Sequence, residues 1–323
     1  MDEFQRIQRF FAPLSQGYAG ALALRDDAAL IDLAAGERLV VTADALVEGV
    51  HFLPEDSPDL IARKALRVNL SDLAAKGAVP IAYVQTVALR AETSEDWLAR
   101  YARGLAEDQA RYGVHLIGGD SVLTPGPINI SFTAFGRVGT ADMIRRAGAR
   151  PGDRVYVTGS LGDSALGLMA LYGRIKGLEA SARSFLVDRY RLPQPRVGLG
   201  PRLVGHATAG LDVSDGLVAD LGHLCTASGV GAVVDVGRVP LSPAASAAFS
   251  RDTRLLAAML TSGDDYELLF TAAADASQIL TGLAAEFDVP ISEIGYIVDG
   301  TGVTVRDPQG RPMTFERAGY RHF

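Results

Sequence analysis

Runs typical of β-strands alternate with runs typical of helices along both halves of the chain. In the first half the strand-like segments are RLVVT (38–42), IAYVQTVAL (81–89) and INISFTAFGRV (128–138), with helical patterns between them. RVYVTG (154–159) and GAVVDV (231–236) continue the alternation in the second half. Such alternation is typical of sheets covered by helices. The sequence therefore predicts an α/β (α+β) fold in both halves.

The length of the chain predicts two domains. Its 323 residues exceed the usual size of one domain, which is roughly 100–200 residues. The pattern breaks at RRAGARPGD (145–153), a basic segment that contains glycine and proline. We therefore expect one domain over 1–148 and a second over 149–323. Arg145 and Arg146 fit an exposed linker as well as they fit a phosphate site.

The composition is that of a globular protein with a sizeable core, at 48% hydrophobic and 21% charged residues. The net charge of -7 argues against a general nucleic-acid-binding surface and suits carboxylates that hold cations. A single cysteine, Cys225, excludes an intramolecular disulfide and favours a reducing compartment. Because no apolar run reaches about 18 residues and the N-terminus is too charged for a signal peptide, we expect a cytoplasmic protein.

The segment ALRVNLSDLAAKGAVP (65–80) combines an apolar helical stripe with a polar one. Its leucines recur at spacings of three and four residues, as on the buried face of a helix. Asn69, Asp72 and Lys76 share another face at helical spacing. An amide, a carboxylate and an ammonium group on one face favour contact with a charged ligand, and a solvated polar face is the alternative.

Acidic residues recur at predicted turns or strand ends, in stretches that also contain Gly, Ser or Ala, and Asp72 of the helical segment is grouped with them. They are Asp26, Asp27, Asp44, Asp72, Asp120, Asp212, Asp215, Asp264 and Asp265. If these carboxylates converge, their mutual repulsion requires cations. Oxygen ligands without thiolates favour Mg²⁺, which usually completes its coordination with phosphates and water. The residues alone thus indicate a magnesium-dependent nucleotide or phosphate enzyme.

Several of these features also have ordinary structural interpretations. The Asp26–Asp27 pair is a common turn former, and Ser214 or Asp215 can be a helix N-cap. His51 is more often a packed or capping residue than a ligand. The glycine-rich segment SLGDSALGLMAL (160–171) can present backbone N–H groups to phosphate, or it is a tight strand-to-helix connection. It lacks the Lys-Ser/Thr pair of a P-loop.

Seven motifs that span nearly the whole chain carry a family resemblance. They are DDAA (26–29), TADALVEGVHF (42–52), ALRVNLSDLAAKGAVP (65–80), GGDS (118–121), RPGDRVYVTGSLGDSALGL (150–168), LDVSDGLVADLGHL (211–224) and SGDDYELLF (262–270). In this order they resemble the thiamine-monophosphate kinases, relatives of aminoimidazole-ribonucleotide synthetase and selenophosphate synthetase. The resemblance implies an N-terminal domain whose sheet pairs with a second subunit, a C-terminal α/β domain, and ATP in a cleft closed by the acidic motifs. It implies the reaction of ATP with thiamine monophosphate to give ADP and thiamine diphosphate.

The resemblance also implies roles for individual residues. The positions that match ligands of several Mg²⁺ ions are Asp27, Thr42, Asp44, Asp72, Asp120, Asp212 and Asp215. The positions that match ATP contacts are Gly119, Asp120, Arg146 and Ser214. Thiamine monophosphate would contact His51 and Asp264, and Tyr320 would stack on it. We expect Asp44, Asp72, Asp120 and Asp212 to be the catalytic set.

Three positions depart from the family pattern. Arg25 stands before the aspartate pair where the family often has Gly. Ala43 stands where the family often has Thr, so a hydroxyl ligand is lost and only the carbonyl can serve. Asp264 replaces a Glu and is one methylene shorter. These departures concern individual ligands more than the reaction.

Two other functions are compatible with the resemblance: a sister enzyme, chiefly aminoimidazole-ribonucleotide synthetase, and a non-catalytic nucleotide-binding regulator. Selenophosphate synthetase is disfavoured because the family's reactive cysteine near the N-terminus has no counterpart, since Cys225 lies far too late in the chain. The hydrogenase-maturation relative needs a C-terminal cysteine, whereas this chain ends in Arg-His-Phe.

Overall fold

The computed structural model describes residues 3–25, 28–140 and 143–320. The residues of the chain group into two compact units. The first unit comprises Met1–Leu73 and Ala78–Asp142, and the second comprises Ala74–Gly77 and Met143–Phe323. None of the described helices is long and apolar enough to cross a membrane.

The first unit is built on a four-stranded sheet in the order β1–β4–β2–β3. Its elements are α1 (Glu3–Arg6), β1 (Arg38–Val47), α2 (Pro58–Ala75), β2 (Val79–Leu89), α3 (Glu95–Tyr112), β3 (His115–Leu123) and β4 (Asn129–Val138), with short π and 3₁₀ turns at Ile7–Phe11, Ala12–Ser15 and Ala19–Leu24. β2 and β3 pair in parallel, and α3 is the crossover that a parallel pair requires. α2 belongs to this unit as far as Leu73.

Helices α2 and α3 form between the strand-like segments, as predicted, but α2 begins seven residues before the segment 65–80 and ends at Ala75. Leu66, Leu70 and Leu73 of α2 are all buried, so the apolar stripe faces the core. The side chain of Ser94 caps α3 by accepting the N–H of Trp97, and Gly113 ends the helix at a positive φ of 67°. The buried stripe fixes α2 on the core, and the capped ends define the limits of α3.

A buried ion pair joins these two helices. The Arg67 guanidinium donates from Nε and Nη2 to the two carboxylate oxygens of Asp108, at 2.6 and 2.9 Å. Both side chains are fully buried. Such a pair stabilises little by itself, but removal of one partner leaves an uncompensated buried charge and costs about 3–5 kcal/mol. The pair therefore fixes the register of α2 against α3.

The second unit is built on a seven-stranded mixed sheet in the order β11–β10–β7–β9–β5–β8–β6. Its elements are β5 (Arg154–Thr158), α4 (Asp163–Leu171), α5 (Ala180–Arg191), β6 (Ala207–Asp212), α6 (Leu217–Ser228), β7 (Gly231–Asp235), α7 (Pro243–Arg251), α8 (Leu255–Thr261), β8 (Leu268–Ala272), α9 (Ser277–Phe287), β9 (Ile291–Val298), β10 (Gly302–Arg306) and β11 (Pro312–Met313). A buried apolar cluster fills the space between this sheet and α6, with Val157, Leu211, Leu221 and Ile297 among its members. Each unit thus combines a sheet with helices, as the alternating pattern predicts.

Strand β1 of the first unit is longer than its sequence pattern predicts. β1 continues five residues beyond Thr42, because β4 pairs with it continuously from Arg38↔Val138 to Val47↔Asn129. Asp44 therefore lies within a strand and pairs with Phe132, instead of following the strand. Asp120 likewise lies inside β3, opposite Thr86 of β2. A neighbouring strand supplies these hydrogen bonds, and a local sequence pattern does not contain that information.

Candidate active site

In the first unit, β1 and α2 bring one hydroxyl and two carboxylates together. Thr42 Oγ1 donates a hydrogen bond to Asp72 Oδ2, which joins the middle of β1 to α2. The backbone N–H of Asp44 donates to Asn69 Oδ1 at 3.1 Å, and Asn69 Nδ2 donates to the carbonyl of Ala65 at 3.0 Å. Asn69 is fully buried, so its amide is held by these two contacts. Two of the three polar residues predicted on α2 thus serve this group.

The charges of this group suit a cation. Burial raises the pKa of Asp44 to about 6, and the negative charge of Asp72 adds to the rise. Two carboxylates and a hydroxyl are hard oxygen donors, the kind that Mg²⁺ prefers. Among the described residues, no three His, Cys, Asp or Glu side chains lie close enough to hold a metal by themselves. This donor set fits Mg²⁺, because Mg²⁺ is usually bound by one or two carboxylates together with phosphates and water.

A cavity of ≈ 440 Å³ also lies within the first unit. Gly118, Gly119 and Asp120 of β3 form part of its wall. Gly119 has a φ of 153°, and a Cβ there would lie 2.0 Å from the carbonyl oxygen of Gln85, so only glycine fits. The exposed Asp120 accepts the N–H of Ser121 at 2.7 Å. The wall of the cavity therefore combines backbone without side chains, at the two glycines, with the carboxylate of Asp120.

His51 follows β1 and is half-buried. Its Nδ1 accepts the backbone N–H of Val47 at 3.0 Å, so a neutral ring carries its proton on Nε2. Lys64 Nζ donates to the carbonyl of His51 at 3.0 Å. The capping interpretation of His51 is therefore correct for Nδ1, while a substrate role for the ring stays a prediction.

In the second unit, three loops converge at the end of β6. Asp212 ends the strand and is buried, and the loop after it carries Ser214 and Asp215. The backbone N–H of Asp264 donates to the carbonyl of Ser214 at 2.9 Å, and that of Tyr320 donates to the carbonyl of Asp215 at 3.0 Å. Five residues predicted for the site thus lie in one loop cluster, although they come from three distant parts of the chain.

The loop that carries Asp264 is strained. Asp264 and Tyr266 have positive φ values of 67° and 52°, which side chains other than glycine rarely adopt. A Cβ on the preceding Gly263 would lie 2.1 Å from the carbonyl oxygen of Ser214. Strain of this kind concentrates at functional sites, where the surroundings hold the backbone in place.

Asp220 is a buried residue of this cluster that sequence reasoning missed. Its Oδ2 accepts the backbone N–H groups of Asp215 and Gly216 at 2.9 and 3.0 Å. Burial raises its pKa to about 7, and the charge of Asp215 acts in the same direction. Asp220 therefore positions the Asp215 loop, and its place in the first turn of α6 was the available signal.

Asp265 has a structural role, because it binds the backbone N–H groups of the loop that could have bound phosphate. Its carboxylate accepts the backbone N–H groups of Gly162 and Ser164, at 2.7 and 3.2 Å. Burial raises its pKa to about 8, with Asp163 contributing. Because these amides already bind a carboxylate, the glycine-rich segment 160–171 is a tight strand-to-helix connection, the second of its two interpretations.

Two further predicted residues lie outside these groups. Arg146 is exposed, and its carbonyl accepts the Ser228 hydroxyl at 3.1 Å. Lys76 Nζ donates to the carbonyl of Gly210 at 2.9 Å within the second unit. Asp27, like Asp26, lies outside the described residues.

Two family profiles match most of the chain. The profile described as AIR synthase related protein, N-terminal domain, covers residues 25–138, and that described as AIR synthase related protein, C-terminal domain, covers residues 150–308. The chain is also 42% identical to the thiamine-monophosphate kinase of Caulobacter vibrioides, over 99% of this chain and 90% of that protein.

Solved structures of this family also resemble the fold of the chain. The thiamine-monophosphate kinase of Stenotrophomonas maltophilia K279a superposes with a TM-score of 0.82 at 43% identity, over 90% of each chain. A structure described as AaThiL complexed with AMPPCP and TMP superposes with a TM-score of 0.79 at 30% identity, over 91% of this chain and 90% of that one.

Proposed function

Because the chain belongs to the thiamine-monophosphate kinase family of the AIR-synthase-related proteins, we propose that it transfers the γ-phosphoryl group of ATP to thiamine monophosphate, giving ADP and thiamine diphosphate. The main support is the near-full-length similarity to a relative described as complexed with AMPPCP and TMP. AMPPCP is an ATP analogue, so that complex pairs the two substrates of the proposed reaction.

The nucleophile is an oxygen of the thiamine phosphate. A phosphomonoester has a second pKa near 6 and is mostly dianionic at neutral pH, so it needs no general base. The barrier is the repulsion between this dianion and the phosphates of ATP. The chain therefore has to position the two anions in line and neutralise their charge, without a covalent phospho-enzyme.

The carboxylates of both units would hold the neutralising ions. The proposed Mg²⁺ ligands are Asp27, Thr42, Asp44, Asp72, Asp120, Asp212 and Asp215. Mg²⁺, when bound, supplies positive charge to the phosphate oxygens. The raised pKa of Asp44 supports this role, because its carboxylate ionises most readily when a cation is present. Asp44, Asp72, Asp120 and Asp212 form the catalytic set of the proposal.

The remaining predicted residues bind the two substrates. Gly119, Asp120, Arg146 and Ser214 would contact ATP, and His51, Asp264 and Tyr320 would contact thiamine monophosphate. The glycine edge of the first-unit cavity supports the former. The loop cluster that gathers Asp264 and Tyr320 around the Ser214–Asp215 turn supports the latter. The side chain of Asp264 is shorter than the Glu of the family. Its backbone has a positive φ, and this strained conformation fixes the point from which the side chain extends.

We also propose that the enzyme is a homodimer that works in the cytoplasm. Alternate residues of β1 expose an apolar surface, and Leu39 and Val41 are 41% and 54% exposed. Ala43 and Ala45 continue this face. Exposed apolar faces of this kind are typical of subunit interfaces. The same face of a second copy would cover it.

The test is direct. The purified chain is incubated with Mg-ATP and thiamine monophosphate, and thiamine diphosphate is detected by its fluorescence after oxidation to thiochrome. We expect ATP-dependent product from the unaltered chain, none from Asp72→Asn or Asp212→Asn, and normal product from Asp275→Asn, which changes an exposed carboxylate. Consumption of ATP without thiamine diphosphate, or near-normal turnover by Asp72→Asn, would contradict the proposal.

A further inference from the structure

Gln85 is a buried polar residue in the wall of the first-unit cavity. It is 4% exposed and lies in the middle of β2. The surrounding wall is largely apolar, with Phe11, Leu24, Leu116 and Ile117, and it also contains the polar residues Gln8, Arg25 and Ser121. Small-molecule sites usually combine such walls with a few polar groups that fix the orientation of the ligand. A flat heterocycle suits this wall, and Gln85 is placed to contact its edge.

Tyr101 determines which end of the Gln85 carboxamide is available. The Tyr101 hydroxyl donates to Gln85 Oε1 at 3.1 Å. Tyr101 is fully buried, and its ring stacks on Trp97 with centroids 5.1 Å apart. Within the described part of the chain, this is the side-chain hydrogen bond of Gln85. The carboxamide therefore offers Nε2, which is a donor only, to a ligand.

Gln85 also lies directly beside Gly119. The two residues are paired across β2 and β3, and the missing Cβ of Gly119 leaves room for the Gln85 carbonyl. Asp120 follows on the exposed part of β3. A nucleotide whose phosphates lie near Asp120 would place its base against the apolar wall and Gln85.

We propose that Gln85 determines the base specificity of the enzyme by donating a hydrogen bond from Nε2 to an acceptor nitrogen of the adenine ring. This inference depends on the proposed function, because it takes ATP as the ligand of the cavity. N1 of adenine is an acceptor, whereas N1 of guanine carries a hydrogen. The Nε2 donor, oriented by Tyr101, can bond to N1 of adenine. Against guanine it would face the hydrogen on N1, and two opposed donors disfavour the wrong ligand. Gln85 is thus a specificity-determining residue, and Tyr101 is its positioning residue.

The test compares Gln85→Met and Tyr101→Phe with the unaltered chain. For Gln85→Met we expect an approximately tenfold rise in KM for ATP, equivalent to about 1.4 kcal/mol, and a similar loss of the preference for ATP over GTP. kcat and the KM for thiamine monophosphate should stay within about twofold. Tyr101→Phe releases the carboxamide, so the preference for ATP over GTP should fall while the KM for ATP changes less.

Gln109→Leu is the matched control. Gln109 Nε2 donates to the carbonyl of Leu14 at 3.0 Å, so this variant removes an amide hydrogen bond from the same unit. It should lower Tm without changing the ATP-to-GTP preference. An unchanged preference in both Gln85→Met and Tyr101→Phe would overturn the inference, as would an equal change in Gln109→Leu.

Binding measurements separate this inference from the proposed function. AMPPCP and its guanine counterpart are titrated calorimetrically against each variant without thiamine monophosphate. Absence of phosphoryl transfer by the unaltered chain would contradict the proposed function, while a base preference that is lost in Gln85→Met would still support the role of Gln85. Equal affinity of the unaltered chain for both analogues would overturn it.

Discussion

The backbone N–H of Asp44 donates to the side-chain oxygen of Asn69 at 3.1 Å, and this contact joins β1 to α2. Asn69 is buried, and its amide also donates to the carbonyl of Ala65 at 3.0 Å. The position of a proposed metal ligand is therefore fixed by a residue on a neighbouring helix, 25 positions along the chain.

Asn69→Ala should remove the hydrogen bond that holds the backbone of Asp44 in place. The Asp44 N–H would lose its acceptor in a partly buried place, which costs at most about 1–3 kcal/mol of unfolding free energy. We also expect the Mg²⁺ concentration for half-maximal activity to rise, because Asp44 would no longer be held in one position. Urea unfolding and Mg²⁺ titration of activity measure the two effects. Asn129→Ala, at an exposed position on β4, is the control, and an unchanged Mg²⁺ requirement in Asn69→Ala would contradict the positioning role.

Asp44 should make metal-free stability depend on pH. Its pKa is about 6 when folded and about 3.9 in an unfolded chain, so the folded state binds more protons between these values. The free energy of unfolding of the wild type, relative to Asp44→Asn, should therefore fall as pH rises from 4 to 6 and level off above. Mg²⁺ should raise Tm more at pH 7.5 than at pH 5, because its ligand is then ionised. An equal gain at both pH values would refute this.

Asp265 should give a second pH dependence that Mg²⁺ does not remove. Its folded pKa of about 8 also lies above the unfolded value, so its contribution to stability is complete below about pH 4 and is lost as pH rises through 8. The unfolding free energy of the wild type relative to Asp265→Asn should fall across this window, by at most about 1.4 kcal/mol per pH unit for one proton. Unfolding curves at several pH values, with and without Mg²⁺, test this slope. A slope that disappears with Mg²⁺ would mean that Asp265 is a metal ligand.

Glu267 should be far more costly to change than an exposed glutamate. It is fully buried, its Oε2 accepts Thr158 Oγ1 at 2.7 Å and Arg196 Nε at 2.6 Å, and its Oε1 accepts Arg189 Nη2 at 2.8 Å. Glu267→Gln leaves two arginines without their carboxylate, so we expect a loss of about 3–5 kcal/mol. Glu286→Gln breaks an exposed pair with Arg202 and should cost less than about 1 kcal/mol. Urea unfolding compares the two, and equal costs would contradict the argument.

Replacement of Tyr320 should weaken the binding of one substrate only. Tyr320 is 47% exposed, and its backbone N–H is bonded to the carbonyl of Asp215. If it stacks on the thiamine, Tyr320→Ala should raise the KM for thiamine monophosphate about tenfold and leave the KM for ATP unchanged, whereas Tyr320→Phe should stay near normal. Steady-state kinetics with each substrate varied in turn distinguishes these outcomes. A rise in the KM for ATP alone would place Tyr320 at the other substrate.

The amino-acid sequence by itself determined the mixed α/β organisation, the family and the acidic motifs. These properties are local: a periodic pattern decides whether a segment forms a strand or a helix, and short motifs carry the resemblance. The resemblance also gave Gly119 as an ATP contact, whereas the close approach of the Gln85 carbonyl that requires glycine there is seen only in the structure. The individual metal and substrate roles remain predictions.

The tertiary structure alone decided which polar groups act on one another. Sequence reasoning placed Asp265 among the metal candidates and passed over Asp220 and Gln85, because burial and hydrogen-bond partners distinguish these residues and residue type does not. Asp265 is bonded to amides 101 and 103 positions away, and Gln85 to a hydroxyl on the next helix. Strand and helix packing brings these partners together, so their pKa values and roles follow from the fold and cannot be read from any local stretch of sequence.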